Sequence, residues 1–152
     1  MPFALDSSYI VAFLSLWHPK NKEVVNTFES LRHQASQIIL PGPALTEAYS
    51  ILTGNPPQHR TSPSVALKTL TESFLSRTTI IILSAEEYIE VVKNAAKSGI
   101  TGGAIHDAII AQCARKGGAT KILTLNYRHF IRFAGNDLEI IVPELYFGHF
   151  SQ

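Results

Sequence analysis

One cysteine, one methionine, one tryptophan and three aspartates stand among the 152 residues, and only 16% of the chain is charged. Each scarcity excludes something. Cys113 alone forbids an intrachain disulfide and any zinc cluster built on thiolates. Thirteen Lys and Arg against twelve Asp and Glu leave a formal charge of +1, so no global cationic field exists to coat a nucleic acid. The longest apolar runs, residues 9–14 and 79–83, fall far below the ~18 residues that span a bilayer. No cationic start precedes an apolar stretch and Asp6 comes almost at once, which argues against a signal peptide and makes the cytoplasm the expected compartment.

What is present is ordinary core material. An apolar fraction of 45% and a mean hydropathy of +0.11 exclude intrinsic disorder. The length suits one domain, residues 1–152, with a single core. The charged fraction lies below the ~25% usual in soluble proteins, which points to a surface partly covered by another chain.

Along the chain, short unbroken apolar runs alternate with helical patterns. Phe3-Ala4-Leu5 ends on Asp6, with Ser7 or Ser8 as the expected N-cap of a helix over residues 9–16, which His18-Pro19 ends. Val24, Val25, Phe28 and Leu31 mark a helix over 22–35. A strand at 38–40 and a helix at 44–52 follow. The proline-rich stretch 54–63 reads as a loop, and a helix covers 64–75. The β-branched run 79–83 predicts a strand buried on both faces. Ser84 caps a helix whose first turn carries Glu86 and Glu87, read with Glu90 as a solvated face. A helix over 104–116 closes on Gly117-Gly118, with Cys113 inside it as a packed small hydrophobe. A strand at 121–125, a short helix at 127–133 and a strand at 138–142 complete the series. This alternation predicts a three-layer α/β/α sandwich around a mainly parallel sheet.

Such folds bind ligands beyond the carboxyl ends of their strands. Asp6 follows the first strand, Asn126 follows the strand at 121–125, and Glu47 and Asp107 open helices at the same end. Singly, each acid is explained equally well by helix capping or dipole pairing. Together, independent caps have no reason to gather at one end of a sheet. Carboxylates so gathered repel each other and lose hydration, so a cation offsets the cost. Oxygen ligands select a hard ion, Mg²⁺ or Mn²⁺, of the kind used in phosphoryl transfer.

At these residues the sequence resembles the PIN-domain family, especially the small ribonuclease toxins called VapC. The resemblance rests on Leu5-Asp6-Ser7-Ser8, Thr46-Glu47, Ile105-His106-Asp107-Ala108-Ile109-Ile110-Ala111 and Leu123-Thr124-Leu125-Asn126-Tyr127-Arg128-His129-Phe130. It covers nearly the whole chain. It implies a Mg²⁺- or Mn²⁺-dependent endoribonuclease with Asp6, Glu47 and Asp107 on acidic family positions, an RNA substrate, a cognate antitoxin and a homodimer. By that reading Asp6 and Asp107 hold the metal, Glu47 completes the site or orients the attacking water, and Asn126 positions that water. Many members carry Asp where this chain has Asn126, which removes one charge. Thr124, Ser7 and Ser8 are candidate hydrogen-bonding supports.

Arg128 and His129 lie close enough to that site to touch phosphate. His106 is expected beside it as a flank residue, because successive helical positions diverge by ~100°. Arg115 and Lys116 read as partners of a helix C-terminal dipole, and Asp137 as a turn residue. With the three site acids set aside, nine acidic residues face thirteen basic ones, enough for a local RNA-binding surface. A catalytically silent PIN-like module that binds RNA or protein is the alternative, motivated by Asn126. A haloacid-dehalogenase-type phosphatase is set aside because Ser8 stands where it needs a second Asp. A dinucleotide-binding domain would need a glycine-rich turn after the first strand, and none is present.

Overall fold

The computed structural model describes residues 1–143. One sheet contains β1 (Phe3–Leu5), β2 (Ile38–Pro41), β3 (Thr79–Ile81), β4 (Lys121–Leu123) and β5 (Glu139–Ile141). The spatial order is β3-β2-β1-β4-β5, and every neighbouring pair is parallel. The helices are α1 (Ser7–Leu14), α2 (Asn21–Arg32), α3 (Gly42–Gly54), α4 (Pro63–Leu70), α5 (Ala85–Ser98), α6 (Ala104–Lys116) and α7 (Tyr127–Phe130). No helix of the described residues is long and apolar enough to cross a membrane.

Phe3, Ala4 and Leu5 are all buried, as are Ile39, Leu40, Ile122 and Leu123. Consecutive strand residues point to opposite faces, so burial of each one means that helices cover both faces. The expected three-layer sandwich forms. Phe3, Phe13, Phe28 and Phe74 meet edge to face in its core, with ring centroids 4.9–5.8 Å apart.

The strand order reverses once. From β1 the chain adds β2 and β3 outward, then returns to lay β4 on the other side of β1. Connections leaving such a point in opposite directions open a crevice at the carboxyl ends of the two strands. Asp6 and Asn126 follow those two strands.

Three local expectations change. The run at 79–83 is the sheet's outer edge, with Ile80 48% and Ile82 63% exposed, because β-branching suits an edge as well as a centre. The strand expected at 121–125 stops at Leu123: the N–H groups of Leu125 and Asn126 are taken by the Ser8 and Thr124 hydroxyls. Ser7 and Ser8 lie inside α1, whose N-cap position belongs to Asp6.

Arg115 and Lys116 make specific pairs as well as ending α6. Arg115 binds Asp137 (2.8 Å) and the Phe133 carbonyl, and Lys116 binds Glu87 and the Ile82 carbonyl. Beyond them the Gly118 N–H donates to the Arg115 carbonyl and the Ala119 N–H to the Ala114 carbonyl. That closure puts Gly118 at φ +82°, the left-handed region where a side chain is strained. Gly117 has φ −78° and is needed for space: an added Cβ would stand 2.8 Å from Cδ1 of the fully buried Ile39. Gly117→Ala is therefore expected to cost about 1–3 kcal/mol through overpacking, and Gly118→Ala about 1 kcal/mol through backbone strain. Urea unfolding of both variants checks this; wild-type stability for Gly117→Ala would contradict the packing account.

Candidate active site

Asp6 is 2% exposed, at the point where β1 gives way to α1. Its backbone remains in the sheet: the N–H donates to the Leu123 carbonyl of β4 at 3.0 Å. Its carbonyl accepts from Tyr9 and Ile10, which starts the helix. Its carboxylate makes no capping bond, so the capping explanation fails for this acid.

The carboxylate is held from two elements instead. Oδ2 accepts from the Ser8 hydroxyl at 2.7 Å and the Thr124 hydroxyl at 2.8 Å. Those hydroxyl oxygens also accept the Leu125 and Asn126 N–H groups at 3.0 and 2.9 Å. One network thus clamps the carboxylate and shapes the chain that carries Asn126. Ser7 spends its one proton on Glu47 Oε1 at 2.7 Å, so its 3.4 Å contact with Asp6 Oδ1 is left without one. Oδ1 is the less firmly held carboxylate oxygen, since Oδ2 takes both short hydroxyl bonds.

Glu47, from α3, is exposed although the next residue, Ala48, is fully buried. Asp107 sits half-buried in the first turn of α6, with His129 Nδ1 at 3.8 Å from its Oδ2. Asp6, Glu47, Asp107, Asn126, Arg128 and His129 all line one cleft of about 640 Å³. Gly103, Ala104, His106 and Arg132 complete its wall. His106 and Asp107 both open onto it although they are successive residues, because the cleft meets the start of α6 rather than one side of it. Arg132 and Gly103 are wall residues the sequence reading did not select; the basic cluster after Asn126 was the available signal for Arg132.

Burial raises the Asp107 carboxyl, the negative charges of Asp6 and Glu47 raise it further, and His129 and His106 oppose the shift; the result is about 6. Asp6 is also raised, chiefly by burial and slightly by Glu47, against the pull of Ser8 and Thr124. Two carboxyls pushed upward in one cleft form a site that favours a proton or a cation. Among the described residues no group of three or more His, Cys, Asp or Glu could hold a metal ion by itself.

The PIN domain family model matches residues 3–136. The chain belongs to the PIN-domain family. Within it, the chain is similar to Ribonuclease VapC40 of Mycobacterium tuberculosis, 31% identical over 82% of this chain and 87% of that one. Its fold is similar to that of M. tuberculosis VapC20, with a TM-score of 0.70 at 10% identity, covering 88% of this chain and 97% of the other. It is also similar to the Rickettsia felis VapBC2 structure, with a TM-score of 0.68 at 23% identity, covering 93% of this chain and 98% of that one. The parallel sheet and its flanking helices are thus a PIN-domain fold.

The raised carboxyls give this PIN domain a pH signature without added cation. A carboxyl raised from 3.8 to about 6 binds its proton more tightly folded than unfolded. The resulting stability is complete below pH 4 and is lost as pH rises through 6. Asp107→Asn is expected to flatten that slope and to melt higher than wild type at pH 7.5 in chelator. Thermal melts from pH 4 to 8 check it, and a less stable Asp107→Asn protein at pH 7.5 would contradict it.

Proposed function

We propose that the protein is a divalent-metal-dependent endoribonuclease acting as the toxin of a toxin–antitoxin pair. One observation carries the reading: Asp6, Glu47 and Asp107 converge with Arg128 and Arg132 on one cleft at the reversal of strand order. The ribonuclease name of its relative VapC40 and the toxin name of VapC20 support it. The similarity to the VapBC2 assembly supports an antitoxin protein as partner.

The donor chemistry fits a hard cation. Asp6 would hold it through Oδ1 and Asp107 through its carboxylate, with Glu47 at the edge of the site. Mg²⁺ binds through one or two carboxylates and keeps several waters, so an incomplete protein shell suits it, or Mn²⁺, when substrate phosphate supplies further oxygens. The cation would supply charge neutralisation at the scissile phosphate and acidity for a bound water.

The chain's own groups do the rest. Arg128 and Arg132 bind the RNA phosphate and hold it against the acidic wall, with His129 beside them. Glu47, fixed by the Ser7 hydroxyl, orients the attacking water and takes its proton. The Asn126 side chain positions that water, and its backbone is fixed by Thr124. Attack on phosphorus opposite the 3′ oxygen breaks that bond and leaves 5′-phosphate and 3′-hydroxyl ends.

Asp6→Asn is expected to lower metal-stimulated RNA cleavage by roughly 10²–10³-fold while preserving the far-UV spectrum. Cleavage of a defined RNA with Mg²⁺ or Mn²⁺, with sequencing of the product ends, checks both activity and bond broken. Undiminished cleavage by Asp6→Asn would remove Asp6 from the mechanism. RNA binding by wild type without cleavage under either metal would support the silent binding module instead.

A further inference from the structure

The arm that carries the basic side of the cleft, residues 126–137, has little of its own to hold its shape. Helix α7 has four residues and the 3₁₀ turn after it (Ile131–Phe133) three, far too few to stand alone in water. The arm is nonetheless sorted by side. Phe130 is fully buried and Phe133 packs against the core, while Arg128, His129 and Arg132 open onto the cleft. Those three stand at helical spacing, so one face of the arm is basic and the other apolar.

Both ends of the arm are fixed. At its start the Asn126 N–H donates to the Thr124 hydroxyl. At its far end the holder is Arg115, from the last turn of α6. Arg115 Nε donates to Asp137 Oδ2 at 2.8 Å and Nη2 to Oδ1 at 3.3 Å, and Nη2 also donates to the Phe133 carbonyl. A helical turn ends in carbonyls without partners of their own. The guanidinium thus closes the turn one residue beyond Arg132. A surface ion pair alone contributes little, but a forked pair that also holds a backbone carbonyl fixes a position. Helix α6 therefore presents Asp107 to the cleft from its first turn and grips the basic arm from its last. The helix dipole accounts for a base at position 115 but not for these three bonds.

We propose that Arg115, braced by Asp137, is a positioning residue for RNA binding that acts through Arg132, by closing the turn that aims Arg132 into the cleft. Among the described residues Arg115 is not part of the cleft lining, so its own charge is not what the substrate meets. The inference rests on the reading of the cleft as an RNA site, and it uses neither the acids nor a cation.

Binding of a short fluorescein-labelled single-stranded RNA of mixed sequence, followed by anisotropy over a KCl series in EDTA, tests it without cleavage. Arg132→Ala and Arg115→Ala are each expected to weaken binding by about threefold to tenfold and to flatten the salt slope by ~0.7, the share of one phosphate contact. The double variant is expected to bind no more weakly than Arg132→Ala alone. Asp137→Ala gives the sign. Loss of a negative charge by itself tightens the hold on a polyanion, whereas loss of the brace on Arg115 loosens it. Asp137→Ala is therefore expected to bind RNA more weakly than wild type. Its side chain is 65% exposed, so this variant carries the test should Arg115→Ala fail to fold, which circular dichroism reports. Wild-type binding by folded Arg115→Ala, tighter binding by Asp137→Ala, or additive losses in the double variant would overturn the proposal and leave the RNA site standing. Wild type that binds no RNA would remove that site, and this inference with it.

Discussion

The structure depends on keeping one carboxylate nearly out of water at the junction of β1, β4 and α1. Asp6 is 2% exposed, and its charge is tolerated because two hydroxyls from different elements donate to the same oxygen. A charge buried with such partial compensation is expensive. Its cost is what makes the cleft receptive to a cation. The same two hydroxyls accept the backbone N–H groups that end β4 as a strand, so the clamp on Asp6 also sets the path of the chain toward Asn126, Arg128 and His129. Fold and site are coupled through two side chains, Ser8 and Thr124.

Charge in this molecule is sparse but sorted. The acids of the cleft share its lining with Arg128 and Arg132, so a near-neutral chain still gathers both signs of charge at one place. Asn126 in place of a further acid lightens the repulsion around Asp6 and Asp107. Elsewhere, acids and bases settle into specific pairs: Arg115 with Asp137, and Lys116 with Glu87.

Much of this was legible in the sequence, for a physical reason. Asp6, Glu47, Asp107 and Asn126 each stand at a fixed offset from an apolar run, and a parallel sheet sends all such offsets to one end. Position along the strand therefore gave position in space. What escaped was whatever depends on tertiary neighbours. The edge placement of β3 follows from strand order, which the run at 79–83 does not encode. The early end of β4 follows from a hydroxyl of Ser8, over a hundred residues away in the chain. Ser7 is a candidate support in the sequence but not visibly the anchor of Glu47, because that contact joins α1 to α3. The exposure of Glu47 likewise reflects its place at the rim, which its neighbour Ala48 does not report.

The central claim is that Asp6 makes this cleft a cation site. The most direct measurement is the melting temperature of wild type and Asp6→Asn at pH 8, with Mn²⁺ titrated from zero after chelator is removed. A cation bound only by the folded state stabilises it increasingly with concentration. The account predicts a saturable rise for wild type that is absent or strongly weakened in Asp6→Asn, with the variant melting higher than wild type before Mn²⁺ is added. Equal Mn²⁺-dependent shifts in the two proteins, or no shift in wild type, would contradict it.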